Sequence, residues 1–223
     1  MRRIVPLLAL AVIVPTRLEA ADVTGVVLRE PAAPPPAAPA ERYRERGPRP
    51  PAAAQESATT ASCQCNPGVF AVVHLTGDHL PKPKLQVAAP AMAQKDRTFV
   101  PSVLAVPVGG SVEFPNEDPF FHNVFSYAKP KSFDLGRYPA GESHEVVFDK
   151  PGVIPIFCEI HYSMRAYIHV FDTPYFAVSD EARRFAIPDV APGDYLLHVW
   201  QENLPEITLP ITVGREPLAV EVQ

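Results

Sequence analysis

The chain has 223 residues, 47% of them apolar, with 20 Lys+Arg against 25 Asp+Glu and a formal charge of −5. That is room for one large domain or two small ones with a real core, and the acidic balance argues against nucleic acid or anionic lipid as a partner. The three cysteines are an odd count, so in an oxidising compartment at least one is buried, paired between chains or held as a metal thiolate.

Residues 1–20, "MRRIVPLLALAVIVPTRLEA", have a basic start and an apolar run and end at Ala20, with a second small residue, Ala21, directly after. This is the layout of a secretory signal, interrupted by Arg17 and Glu19 too early for a membrane span. The expectation is export to the periplasm with cleavage after Ala20, an uncleaved anchor being the alternative. Cleavage removes Arg2, Arg3, Arg17 and Glu19 and leaves the mature chain still more acidic. No later apolar stretch is long enough to cross a bilayer.

"DVTGVVL" (22–28) reads as one short strand, which must pair with something further along because a lone strand buries no face. Residues 30–61 are a Pro/Ala-rich run without apolar periodicity, expected to be a disordered linker. Cys63 and Cys65, in "SCQC", close it and receive no assigned role. From Gly68 the chain reads as β throughout. "GVFAVVHL", "SVLAVPV", "SVEFP", "HEVVFD", "VIPIFCEI" and "AYIHVFD" are β-branched and aromatic runs separated by turn residues. "YFAVSD", "RRFAIPDV", "DYLLHVW", "EITLPITV" and "PLAVEV" follow in the same manner. The expected fold is all-β, built as sandwiches.

Cys158, His161 and Met164 follow a C-x2-H-x2-M spacing on a loop between two predicted strands. His122, in "PNEDPFFHNVFS", stands at the start of another strand and can supply a fourth donor. Two imidazoles, a thiolate and a weak thioether form the ligand set of a blue-copper site. Zinc seldom uses thioether and would more naturally recruit a second C-x2-C pair. Read alone, the spacing also admits a buried Cys158, a packing Met164 and a surface His161; the upstream His–Asn pair and the expected export tip it towards copper.

The ligand loop is similar to that of the amicyanins, and "VEFPNEDPFFHNVFS" resembles the first-histidine strand of the plastocyanin, azurin and amicyanin family of cupredoxins. Longer stretches, "FVPSVLAVPVGGSVEFPNEDPFFHNVFS" and "FDKPGVIPIFCEIHYSM" among them, resemble bacterial exported proteins labelled methylamine-utilisation or plastocyanin-like proteins. The resemblance implies a Greek-key sandwich over 84–172 with one type 1 copper held by His122, Cys158, His161 and Met164. It makes Asn123 a hydrogen-bonding support of the ligand loop. It also implies a redox partner protein, such as a c-type cytochrome or a periplasmic dehydrogenase.

"YFAVSDEARRFAIPDVAPGDYLLHVWQE" resembles the carboxypeptidase regulatory-like module, a small transthyretin-like β-sandwich. The resemblance implies one such sandwich from 22–29, 67–80 and 173–223, with the cupredoxin inserted; the alternative keeps 67–80 inside the cupredoxin. Arg183 stands where that module's turn usually has glycine, so another turn form is expected. The remaining histidines, His74, His79, His144, His169 and His198, contain no H-x-H pair to supply a second copper centre; His169 and His198 are read as packing or surface residues, and Trp200 as an anchor of the second core. Phe120 or Phe121 is a candidate for an apolar rim around His161. The sequence thus points to an exported electron carrier and not an enzyme, with a copper carrier or sensor as the alternative.

Overall fold

The computed structural model describes residues 20–29, 70–78, 80–84 and 88–223. The expected signal peptide apart from Ala20, the 30–61 linker, Cys63, Cys65 and His79 lie outside them. Among the described residues every regular element is a strand, and no helix is long and apolar enough to cross a membrane.

The chain opens with β1 (Ala21–Val27) and β2 (Ala71–Thr76), then makes a short hairpin of β3 (Ala93–Lys95) and β4 (Thr98–Val100). It continues through β5 (Val103–Pro107), β6 (Ser111–Pro115), β7 (His122–Tyr127), β8 (Ser132–Tyr138), β9 (Ser143–Val147), β10 (Gly152–Phe157) and β11 (Arg165–Phe171). The last strands are β12 (Phe176–Val178), β13 (Arg184–Val190), β14 (Gly193–Gln201), β15 (Ile207–Val213) and β16 (Leu218–Val222).

Alternating apolar residues sort these strands around two cores. In the first, a five-stranded sheet ordered β5-β11-β10-β7-β8 faces the antiparallel β6–β9 pair. β5 runs parallel to β11 and the other neighbours are antiparallel. The chain around β3 extends the smaller sheet through bridges at Ala91–Glu113 and Gln94–Asn116. Phe114, Val124, Phe148, Ile154, Ile156 and Ile168 fill the space between the sheets and are fully buried. Each such side chain stabilises the fold by about 1.5–3 kcal/mol relative to exposure. The same cluster contains Cys158 and Met164, so two of the expected ligands are anchored in the core that forms the sandwich.

In the second core, a β13-β1-β16 sheet packs against a β12-β2-β14-β15 sheet. Val23, Val27, Leu75, Ile187, Leu197 and Val199 meet there with no exposure. β1 is the central strand, antiparallel to β13 and parallel to β16. Gly25 lets the three strands close up: a β-carbon there would collide with the Val220 carbonyl oxygen and the Phe185 ring. Arg183 keeps the left-handed conformation at φ 63° despite its side chain. Its N–H donates to the Asp180 carbonyl oxygen at 2.8 Å, and Asp180 in turn accepts from the Arg184 amide and guanidinium. The turn holds its form through this aspartate instead of through glycine.

The two cores meet along the outer face of β11. Tyr167 packs edge-on to Trp200 at 5.0 Å, His169 to Trp200 at 4.4 Å, and Phe171 lies 4.7 Å from His74. Arg165 pairs with Glu202 at 2.8 Å, and the Tyr167 hydroxyl donates to the same carboxylate at 3.1 Å. Trp200 therefore belongs to this junction and not to the second core: period-2 alternation along β14 sends Tyr195, Leu197 and Val199 inward and Trp200 to the opposite face. His169 and His198 share the junction and, with His74, line a cleft of about 340 Å³.

Candidate metal centre

Three of the four sequence-predicted donors converge at one end of the first sandwich. His122 opens β7, Cys158 follows the last residue of β10, and His161 lies on the loop between β10 and β11. Their ligand atoms all lie within 4.8 Å of one another, the one such grouping among the described residues. Cys158 Sγ is 3.8 Å and His161 Nδ1 is 3.1 Å from His122 Nδ1. Met164, the fourth, sits where the loop enters β11, 1% exposed and in the same buried cluster as Cys158.

The local backbone explains the convergence. β10 and β11 are antiparallel and paired from Gly152–Val170 to Phe157–Arg165, which pins both ends of the loop. Within it the Met164 N–H donates to the His161 carbonyl oxygen at 2.9 Å, closing a tight turn. Asn123, next to His122 and 1% exposed, accepts the Glu159 N–H on its Oδ1 at 2.8 Å. This bond ties the ligand loop to β7. The Glu159 side chain faces outward and pairs with Arg137 at 2.8 Å.

Asp118 was not singled out by the sequence reading. It is 5% exposed and its Oδ2 lies 2.8 Å from His122 Nε2. Burial alone would raise its carboxyl, but the Arg97 amide, the His122 ring and the Asp96 amide outweigh that and hold it below the usual carboxylate range. An ionised carboxylate only accepts, so this 2.8 Å contact suits a ring proton on His122 Nε2, which would leave the Nδ1 lone pair for the centre. The only signal in the sequence was an acid four residues ahead of the histidine in "DPFFH", which is too common a pattern to decide anything.

Burial, then His122 and Arg97, hold the His161 imidazole below its ordinary value against the weaker pull of Asp118. Two neutral imidazole nitrogens cannot face each other at 3.1 Å with both lone pairs between them; a proton or a cation must intervene. The separation fits within the span of two metal–nitrogen bonds of about 2 Å each. The donor set is thus chemically suited to a soft-to-borderline transition metal.

His122 is fully buried while His161 is half-buried, so the centre reaches solvent through His161. The Phe120 ring packs against both imidazoles at 5.2 and 5.5 Å. Around it Phe121 is 54% and Tyr162 94% exposed, which places Phe120 against the ligands and Phe121 on the rim.

A strand-borne histidine and a loop with three candidate donors closing an antiparallel pair, at the end of a sheet with one parallel edge strand, decide the architecture. The first sandwich is cupredoxin-like. No family model matches the chain, and no curated protein does. Among solved structures it is similar to a Cu-containing nitrite reductase from Thermus scotoductus SA-01, at 30% identity and TM-score 0.36 over 38% of this chain and 22% of that one. An oxidised amicyanin mutant matches at 21% identity and TM-score 0.35 over 37% of this chain and 82% of its own. A novel purple cupredoxin from Nitrosopumilus maritimus matches at 28% identity and TM-score 0.31, over 34% and 84%. This chain therefore spans about a fifth of the nitrite reductase, and the cupredoxin-like assignment rests on strand pairing and ligand geometry.

Proposed function

We propose that this protein is an exported, single-copper electron carrier. The carrying observation is the buried convergence of His122 Nδ1, Cys158 Sγ and His161 on one point, with Met164 entering the same core. His122, Cys158 and His161 would hold copper through two imidazoles and a thiolate, with the Met164 thioether as a weak further donor. When bound, copper supplies a one-electron Cu(I)/Cu(II) couple.

The chain's own residues do the rest. The core positions of Cys158 and Met164 restrain two donors by packing, and the Asn123 bond to the loop resists its movement. His122 and the surrounding apolar residues exclude water from the inner side. His161, the half-buried donor framed by Phe120, Phe121 and Tyr162, offers the route by which an electron would enter or leave. The partner on this reading is a redox protein, a c-type cytochrome or a periplasmic dehydrogenase. The periplasmic location is supported by the signal-like pattern of residues 1–20.

The second part of the reading concerns organisation. Residues 22–29, 67–80 and 173–223 would form one carboxypeptidase regulatory-like sandwich, with the copper domain, 84–172, inserted. Its support is that β1 pairs with β13 and β16, and β2 with β12 and β14, across the whole length of the first sandwich.

Voltammetry of the copper-loaded chain tests the carrier reading. A reversible one-electron wave, with electron exchange to a small cytochrome faster than copper loss to an apo-acceptor, is expected. Copper hand-over that outruns electron exchange would replace this reading with that of a copper carrier or sensor.

A further inference from the structure

The carboxylate behind His122 is held by a device that the donor set does not require. Asp96 and Arg97 join β3 to β4 and both take left-handed conformations, at φ 52° and 57°. Consecutive left-handed residues make the two-residue hairpin turn whose twist suits the flanking strands. Here the Asp96 N–H donates to Asp118 Oδ1 at 2.7 Å and the Arg97 N–H to Asp118 Oδ2 at 2.9 Å. Below the turn the Glu117 N–H donates to the Gln94 carbonyl oxygen at 2.9 Å, which zips the hairpin to the segment ahead of His122. Asp118 also donates its own N–H to Asn116 Oδ1 at 3.0 Å. The Arg97 guanidinium lies over the Phe120 ring at 4.9 Å, and that ring touches both imidazoles.

We propose that Asp118, clamped by the Asp96–Arg97 turn, is a positioning residue that fixes the tautomer and donor strength of His122 and thereby lowers the reduction potential of the centre. The part about potential rests on the copper reading above; the part about the tautomer does not. Three groups point at the Asp118 side chain: the Asp96 and Arg97 N–H groups, which can only donate, and His122 Nε2, 2.8 Å from Oδ2, which donates if it carries the ring proton. A carboxylate satisfies them all because it accepts at both oxygens. An asparagine has one accepting oxygen and would turn an NH₂ group towards at least one of them. The negative charge, accepted through the Nε2–H bond, makes His122 Nδ1 a stronger donor, as carboxylate partners of metal-bound histidines do. Stronger donation and a fixed negative charge favour the more highly charged state of a bound metal, which is a lower potential.

The experiment uses the full chain as wild type, Asp118→Asn and Asp118→Glu. Ring ¹⁵N shifts of His122 in the metal-free protein read its tautomer. Voltammetry and copper competition read the loaded protein. The expected wild-type result is a proton on Nε2. Asp118→Asn is expected to lose that single tautomer, raise the potential and weaken copper binding by roughly 10–100-fold. Asp118→Glu is expected to restore the tautomer at least in part.

A wild-type His122 protonated on Nδ1 would overturn the proposal whatever becomes of the variants. An Asp118→Asn protein with the wild-type tautomer and an unchanged potential would overturn it as well. A wild type that shows the Nε2–H tautomer but takes up no copper would refute the electron-carrier reading, and with it the part about potential, while leaving the positioning of His122 standing.

Discussion

The junction between the two cores should make the fold acid-sensitive in a way one substitution can remove. His169 is 3% exposed, and its Nε2 meets no hydrogen-bond partner among the described residues. Burial first, and then the nearby His74, push its pKa down to about 3. His74 is lowered to about 4, by burial and by His198, with Glu206 pulling weakly the other way. Both are bases whose folded value is depressed, so the native state holds them neutral while the unfolded chain takes up protons as the pH falls through about 6.5. Stability is therefore complete above that value and is lost steadily below it.

Between about pH 8 and pH 5 the unfolded His169 takes up its proton while the folded one stays neutral, and the stretch of about 1.5 pH units below 6.5 amounts to about 2 kcal/mol. His74 is half-buried, and with solvent screening it adds about 1 kcal/mol. Together these would consume a substantial fraction of a stability of about 5–15 kcal/mol. The variant His169→Phe keeps a flat ring against Trp200 and removes a nitrogen that has no partner among the described residues. Urea denaturation of both metal-free proteins at the two pH values isolates the residue, because every other titration is common to them. The variant should lose about 2 kcal/mol less than wild type on acidification. Parallel losses would refute the argument that His169 is buried neutral at this junction.

Gly25→Ala should destabilise the second core by several kcal/mol or prevent its closure, because the new carbon meets a backbone carbonyl that cannot move aside; a urea midpoint within error of wild type would count against the close approach of β1 and β16. Asn123→Ala should leave the Glu159 N–H without its acceptor and cost about 1–2 kcal/mol, with faster copper exchange as the local readout. Cys158→Ser should abolish any intense visible colour. Met164→Leu should keep copper but raise the potential, read by voltammetry; a fall would contradict an axial role for Met164.

Much of this was legible because the chemistry sits close together in the chain. The C-x2-H-x2-M loop needs only the β10–β11 pairing to bring Cys158, His161 and Met164 together, and its flanking β-branched runs announce those strands. His122 was legible for a different reason, since a turn-rich "PNEDP" ahead of a strand marks where a side chain can enter the end of a sandwich. The short β3–β4 hairpin was not: "AQKDRTFV" carries neither alternation nor a turn glycine, and Arg97 takes a left-handed conformation that sequence assigns to Gly or Asn. Its function depends on a contact with Asp118 more than twenty residues away, which no local pattern encodes. Trp200 failed as a core residue because its type suggests burial, while its register on β14, set by Leu197 and Val199, decides which surface it covers. The aromatic side of β11 likewise reads as an ordinary strand until its partner sheet is seen.

The most direct measurement of the central claim is the optical and EPR spectrum of the full chain loaded with Cu(II). An intense thiolate-to-copper band with a narrow copper hyperfine splitting is the predicted result, since it requires Cys158, His122 and His161 on one ion. A pale protein with an ordinary tetragonal copper signal, or one that retains only zinc, would contradict it.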